Sequence, residues 1–159
     1  MDTVGYVVGE VRTDEFTFVT NREIAPPRLE YIVVPVQEPT RQIDVLAQVT
    51  ALSVSSRLLD TSLSYTEVES ILNRLKSSPP IVVGTAQVLG FLEEGAVRFP
   101  RHAATPGTNV ARAPDELLRK FFSHNVASGI EIGALINRPS VPVLLNPNGD
   151  GRASCRERV

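Results

Sequence analysis

Apolar residues along this chain alternate with polar ones in short runs more often than they recur at helical spacing, and a period of two predicts strands. Val4 to Gly9 is an apolar run closed by glycine, and Phe16 and Phe18 alternate with polar neighbours through Val19. Glu30 to Val36 follows the turn-forming Ala25-Pro26-Pro27. Ile43, Val45, Ala47 and Val49 then alternate strictly, and the pattern persists toward Val54. Further strands fit Ile81 to Phe91, Ala96 to Phe99, Ile130 to Ile136 and Val141 to Leu145. Strand-sized runs broken by Pro, Gly and Asn predict a barrel or sandwich. Closure into a barrel also removes the exposed edges of a sheet this large.

Two segments carry the helical period instead. Ser64 with Glu67 three residues on forms a capping box, after which Tyr65, Val68, Ile71, Leu72 and Leu75 share one face until Pro79-Pro80. A second helix starts at Pro114, with Asp115 and Glu116 in its positive first turn and Arg119 and Lys120 toward its negative end. Leu117, Leu118, Phe121 and Phe122 make its apolar stripe. The predicted fold is therefore mainly β, a small closed β-barrel with two appended α-helices.

Composition changes this picture mainly at the C-terminus. The apolar pattern ends at the Asn146-Pro147-Asn148-Gly149 turn. Residues 150–159 hold three arginines and the only cysteine, which reads as a vector-derived tail behind a domain spanning 1–149. A strand and turn leading nowhere suggest the front of a longer protein. The chain has a net charge of -2, and setting the tail aside leaves 13 basic and 16 acidic residues, a net of -3. A phosphate-gripping domain needs a basic face, and the basic residues here are scattered singly, which argues against direct DNA binding. No run approaches a membrane span, and no secretory signal opens the chain, so a cytoplasmic location is expected.

Catalytic chemistry is nearly absent from the sequence. His102 and His124 have no neighbouring Asp, Cys or His at metal-ligand spacing, and local structural roles account for both. The pairs Asp14-Glu15 and Glu93-Glu94 sit beside turns, where solvated carboxylates are the ordinary reading. Neither GxGxxG nor GxxxxGK[ST] occurs. The most unusual stretch is Arg98 to Thr108, with two prolines and a glycine around three basic side chains. It reads either as a rigid loop or as a docking loop stiffened by proline.

Several of these segments, in order, resemble the N-terminal part of the HerA family. They are Val4 to Glu10, Val45 to Thr50, Arg98 to Thr108, Ile130 to Ile136 and Val141 to Gly149. The family comprises hexameric, ATP-driven DNA translocases of archaea within the FtsK–HerA superfamily. The resemblance implies a HAS barrel, named for its likeness to the N-terminal barrel of ATP synthase subunits. It also implies self-association within a ring and docking of the NurA nuclease in DNA-end resection. DNA would be met only indirectly, through the full-length assembly. ATP and magnesium would belong to a motor domain that this sequence does not contain, so no cofactor and no enzymatic activity are expected of the chain itself.

For the docking residues, apolar positions between the long strand and the first helix are the candidates: Leu58, Leu59 and Leu63, joined by Arg98 and Arg101 of the loop. Core packing is the competing account of the leucines. Two other classes compete with this reading. An OB-type barrel binding single-stranded nucleic acid would stack bases on aromatics. Phe16 and Phe18 come nearest to that, but they alternate with Thr17 as a buried face would. A small-molecule enzyme would need convergent polar groups, and no such constellation is present.

Overall fold

A computed structural model describes residues 2–56, 59, 61–74, 80–123 and 129–146. Strands dominate, as the alternation predicts: β1 (Thr3–Val8), β2 (Glu15–Thr20), β3 (Tyr31–Gln37), β4 (Gln42–Ser55), β5 (Ile81–Glu93), β6 (Ala96–Arg98), β7 (Asn109–Arg112), β8 (Ile130–Leu135) and β9 (Arg138–Leu145). The helices are α1 (Tyr65–Arg74) and α2 (Asp115–Ser123).

Six strands close a barrel in the order β2-β1-β7-β3-β4-β5, and β5 returns to pair with β2. Every one of these pairings is antiparallel. The closing seam is long, running in unbroken register from Glu15 opposite Gln87 to Thr20 opposite Val82. The strand that bridges β1 and β3 is β7, which follows directly on the Arg98–Thr108 loop and which the sequence pattern leaves unassigned. Its slot is narrow but decisive, with Gly5 opposite Val110 on one side and Val33 opposite Ala111 on the other.

Inward-facing residues fill the barrel: Val4, Val7, Phe16, Phe18, Ile32, Val34, Val45, Ala47, Val49, Ala86 and Val110 are buried in one cluster. Each large aliphatic or aromatic side chain withdrawn from water contributes about 1.5–3 kcal/mol. The Phe18 ring is the largest fully buried group. It is seated by two glycines, because a methyl at Gly84 would run into the ring and one at Gly5 would meet both the ring and the Val19 carbonyl. Gly84 is also the cross-strand partner of Phe18, so the ring lies where its neighbour has no side chain.

The described residues group into two compact units, Met1–Phe91 with Arg98–Pro114, and Leu92–Val97 with Asp115–Val159. The first contains the barrel. In the second, β8 and β9 form a two-stranded sheet of their own, so the last two predicted strands do not join the barrel. Leu118, Phe121 and Val141 are buried there, and the Phe121 and Phe122 rings meet edge to face at 5.4 Å. Asp115 ties α2 to β9: its carboxylate accepts from Arg138 Nη1 at 2.9 Å and from the Ser140 hydroxyl, while Arg119 Nη2 donates to the Ser140 carbonyl at 2.7 Å. Among the described residues no helix is long and apolar enough to cross a membrane.

Half of the capping box forms at α1: Glu67 Oε2 accepts from the Ser64 N–H at 2.8 Å, while the Ser64 hydroxyl donates to the same carboxylate oxygen at 2.6 Å instead of accepting from the helix backbone. The apolar face of that helix is another matter. Tyr65 is 81% and Leu72 55% exposed, while Val68 and Ile71 are half-buried, so the predicted stripe is only partly covered. The expected continuation through Leu75 and Pro79 lies outside the described residues, as do His124 and the 150–159 tail.

Candidate functional site

Two groups of residues are the candidates for partner contact, and their described members lie at opposite ends of the barrel. Strand β4 begins opposite the end of β3, with Gln42 paired to Gln37, and runs the length of the sheet before leaving at Ser55. The leucine segment follows that exit. Leu58 lies outside the described residues. Leu59 and Leu63 are half-buried, and Leu63 lines a shallow hollow with Thr66, Glu67, Ser70 and Ile71. Strand β7 runs in the same direction as β4, so the loop that feeds it sits at the other end, beside the β1–β2 and β3–β4 turns.

That loop is held firmly. Pro100 and Ala104 are buried, Ala104 within the core cluster. Gly107 N–H donates to the Val7 carbonyl at 2.8 Å, Val7 N–H donates to Thr108 O at 2.9 Å, and Thr108 N–H donates to Thr105 O at 3.0 Å. These bonds tie the end of a segment with no regular structure to β1. Arg98, Arg101 and His102 are all exposed. So is Phe99, at 70%. The sequence pattern had assigned Phe99 to a strand, but β6 ends at Arg98 and the ring turns to solvent.

The charges around this end are mixed. Arg12 lies 3.5 Å from Asp14 and Arg41 lies 3.4 Å from Glu38, in the two neighbouring turns. The Arg41 guanidinium also sits 5.7 Å from the centroid of the Phe91 ring. Between Glu94 and Asp115, by contrast, the sequence contains no acidic residue at all. Elsewhere in the barrel Glu30 is buried, its carboxylate accepting the Tyr31 N–H at 2.9 Å. Burial, followed by the nearby Glu30 charge, pushes the Tyr31 phenol above its ordinary pKa. A hollow of about 370 Å³ lies on the outer face of β1 and β2, where Tyr6, Asn21 and Ile24 are among its walls.

Phe16 and Phe18, the aromatics closest to an OB-type stacking pair, are buried at 2% and 0%. Their rings belong to the core and present no face to a base. Among the described residues no group of three or more His, Cys, Asp or Glu side chains could hold a metal ion.

No family model matches the chain. The chain is 30% identical over 151 residues to Probable helicase MJ1565 of Methanocaldococcus jannaschii. The match takes in 92% of this chain and 28% of that protein. The chain therefore spans less than a third of the length of the curated relative it matches, and it is similar to a portion of a helicase-like protein.

Proposed function

We propose that the chain is the non-catalytic N-terminal assembly and docking domain of a hexameric HerA-type DNA translocase, with the NurA nuclease as its docked partner in DNA-end resection. The observation that carries this reading is a closed six-stranded barrel in a chain that aligns with 28% of a probable archaeal helicase. A barrel is rigid and edgeless, and its end loops are free to vary, which suits a module whose task is contact between proteins. In this reading ATP and magnesium bind the motor part of such a protein, and the barrel contributes ring contacts. In this reading DNA is reached only indirectly, through the assembled ring.

The docking residues in this proposal are Leu58, Leu59 and Leu63, of which Leu59 and Leu63 follow the exit of β4 at one end of the barrel, and Arg98 and Arg101 at the other. Size-exclusion chromatography with light scattering, on the chain alone and mixed with purified NurA, tests both halves of it. A co-eluting complex, lost on changing all three leucines to alanine while the circular dichroism spectrum is kept, is the expected result. A chain that stays monomeric and ignores NurA would reduce the reading to a structural barrel. A triple variant that simply unfolds would return the leucines to the core.

A further inference from the structure

Phe99 stands apart from the other phenylalanines. Of the six in the chain, Phe16, Phe18, Phe91 and Phe121 are buried and Phe122 is half-buried. A singly exposed apolar side chain is ordinary, so exposure alone would carry nothing here. The surroundings carry more. Arg98 precedes the ring, Arg101 and His102 follow within three residues, and all are exposed. The chain between them turns on a buried Pro100 and is pinned by Ala104 in the core and by the Gly107 and Thr108 bonds to Val7. An aromatic face and basic groups are thus displayed on a stiff bend, which lowers the entropy lost when a ligand engages them.

Local charge departs from that of the chain as a whole. The net charge is -2, yet the run from Gly95 to Pro114 holds Arg98, Arg101, His102 and Arg112 and no carboxylate. In the adjoining turns Asp14 and Glu38 are each paired with an arginine of their own turn, at 3.5 and 3.4 Å, which tempers their pull on the bend.

We propose that the Arg98–His102 bend is a contact site for single-stranded nucleic acid, with one base stacked on Phe99 and Arg101 on a flanking phosphate. Any base offers a π-face to an exposed ring, so the contact is tolerant of sequence. Guanidinium groups match phosphate oxygens in fork geometry. A duplex keeps its base faces stacked against each other, leaving only Arg101 something to hold. An acidic protein segment would suit Arg101, but the ring would still need an apolar pocket. The site is small, so its affinity is modest and its salt dependence shallow, with a slope of roughly -0.7 for each phosphate neutralised. This goes beyond the assembly role and does not depend on it.

Fluorescence anisotropy with a labelled oligothymidine of about 20 nucleotides, longer than the footprint of a small barrel, tests the proposal at low salt. The full chain should bind it saturably. Phe99→Ala should weaken binding about tenfold, the loss of one base stack, while Phe99→Trp keeps it. Arg101→Ala should flatten the salt slope by about 0.7. Thermal unfolding of each variant, expected to be unchanged at these exposed positions, separates lost contact from lost fold. Equal binding by the wild type and Phe99→Ala would overturn the proposal, as would equal affinity for duplex, or no saturable binding. Poly-glutamate that competes as well against Phe99→Ala as against the wild type would mark an acidic-protein site and overturn it too.

Discussion

At the scale of single residues, the barrel interior depends on what is missing as much as on what is present. Phe18 is fully buried, and its ring occupies space that a side chain at position 84 would need. The surrounding cluster leaves the ring no free direction in which to retreat, since packed cores relax only partly. Gly84→Ala should therefore lower unfolding stability by about 1–3 kcal/mol, the usual cost of overpacking. Urea denaturation would measure it, and Gly84→Ala combined with Phe18→Leu should recover part of the loss. A neutral Gly84→Ala would mean that the ring moves aside easily. By contrast, a methyl added at Gly133 would meet nothing.

At the scale of elements, the clamp between α2 and β9 gives the second unit an acid-sensitive joint. The Ser140 hydroxyl, ahead of the charges of Arg138 and Arg119, holds the Asp115 carboxyl below the ordinary aspartate range. A carboxylate with a depressed pKa stabilises the folded state at neutral pH. That contribution is lost as pH falls from about 4, the ordinary aspartate value, through the lower folded value. Asp115→Asn should cost about 1 kcal/mol or less at pH 7, as expected for a partly exposed pair, and should flatten this part of the acid decline. Denaturant titrations at several pH values would show it, and an unchanged acid limb would remove Asp115 from the account. These same elements show where the sequence was legible. Alternation located β4 and β5 within a few residues, because period two is written in the local order of side chains. It could not place β8 and β9 in a sheet apart from the barrel, since pairing partners are not a local property. Strand β7 escaped notice for a related reason. Asn109-Val110-Ala111-Arg112 is too short to show a period, and its extended form is fixed by the slot between β1 and β3. The loop before it was recognisable from its prolines, but the exposure of Phe99 was not, because the ring continues the apolar pattern of Ala96 and Val97.

At the scale of the molecule, barrel closure rests on that four-residue strand. Val110 is completely buried between β1 and β3. Val110→Asp would place an unpaired carboxylate in the barrel core and should cost about 4 kcal/mol or more, enough to open the barrel at the β1–β7–β3 junction. Circular dichroism melts and binding of a hydrophobic dye would report it, and a variant that melts like the wild type would show that the junction tolerates a gap. The position of β7 in the chain has a further consequence, during synthesis. Strands β1 and β3 are complete by residue 37, but the segment that must lie between them ends at Arg112. At bacterial-to-eukaryotic elongation rates the two strands wait on the order of 4–15 s with facing edges unpaired. Throughout that interval the nascent polypeptide presents Val33 and Val34 on an open edge, a template for pairing with other chains. The ribosome thus hands over the keystone after the arch, and crowding on a polysome is when this protein is most exposed to misassembly.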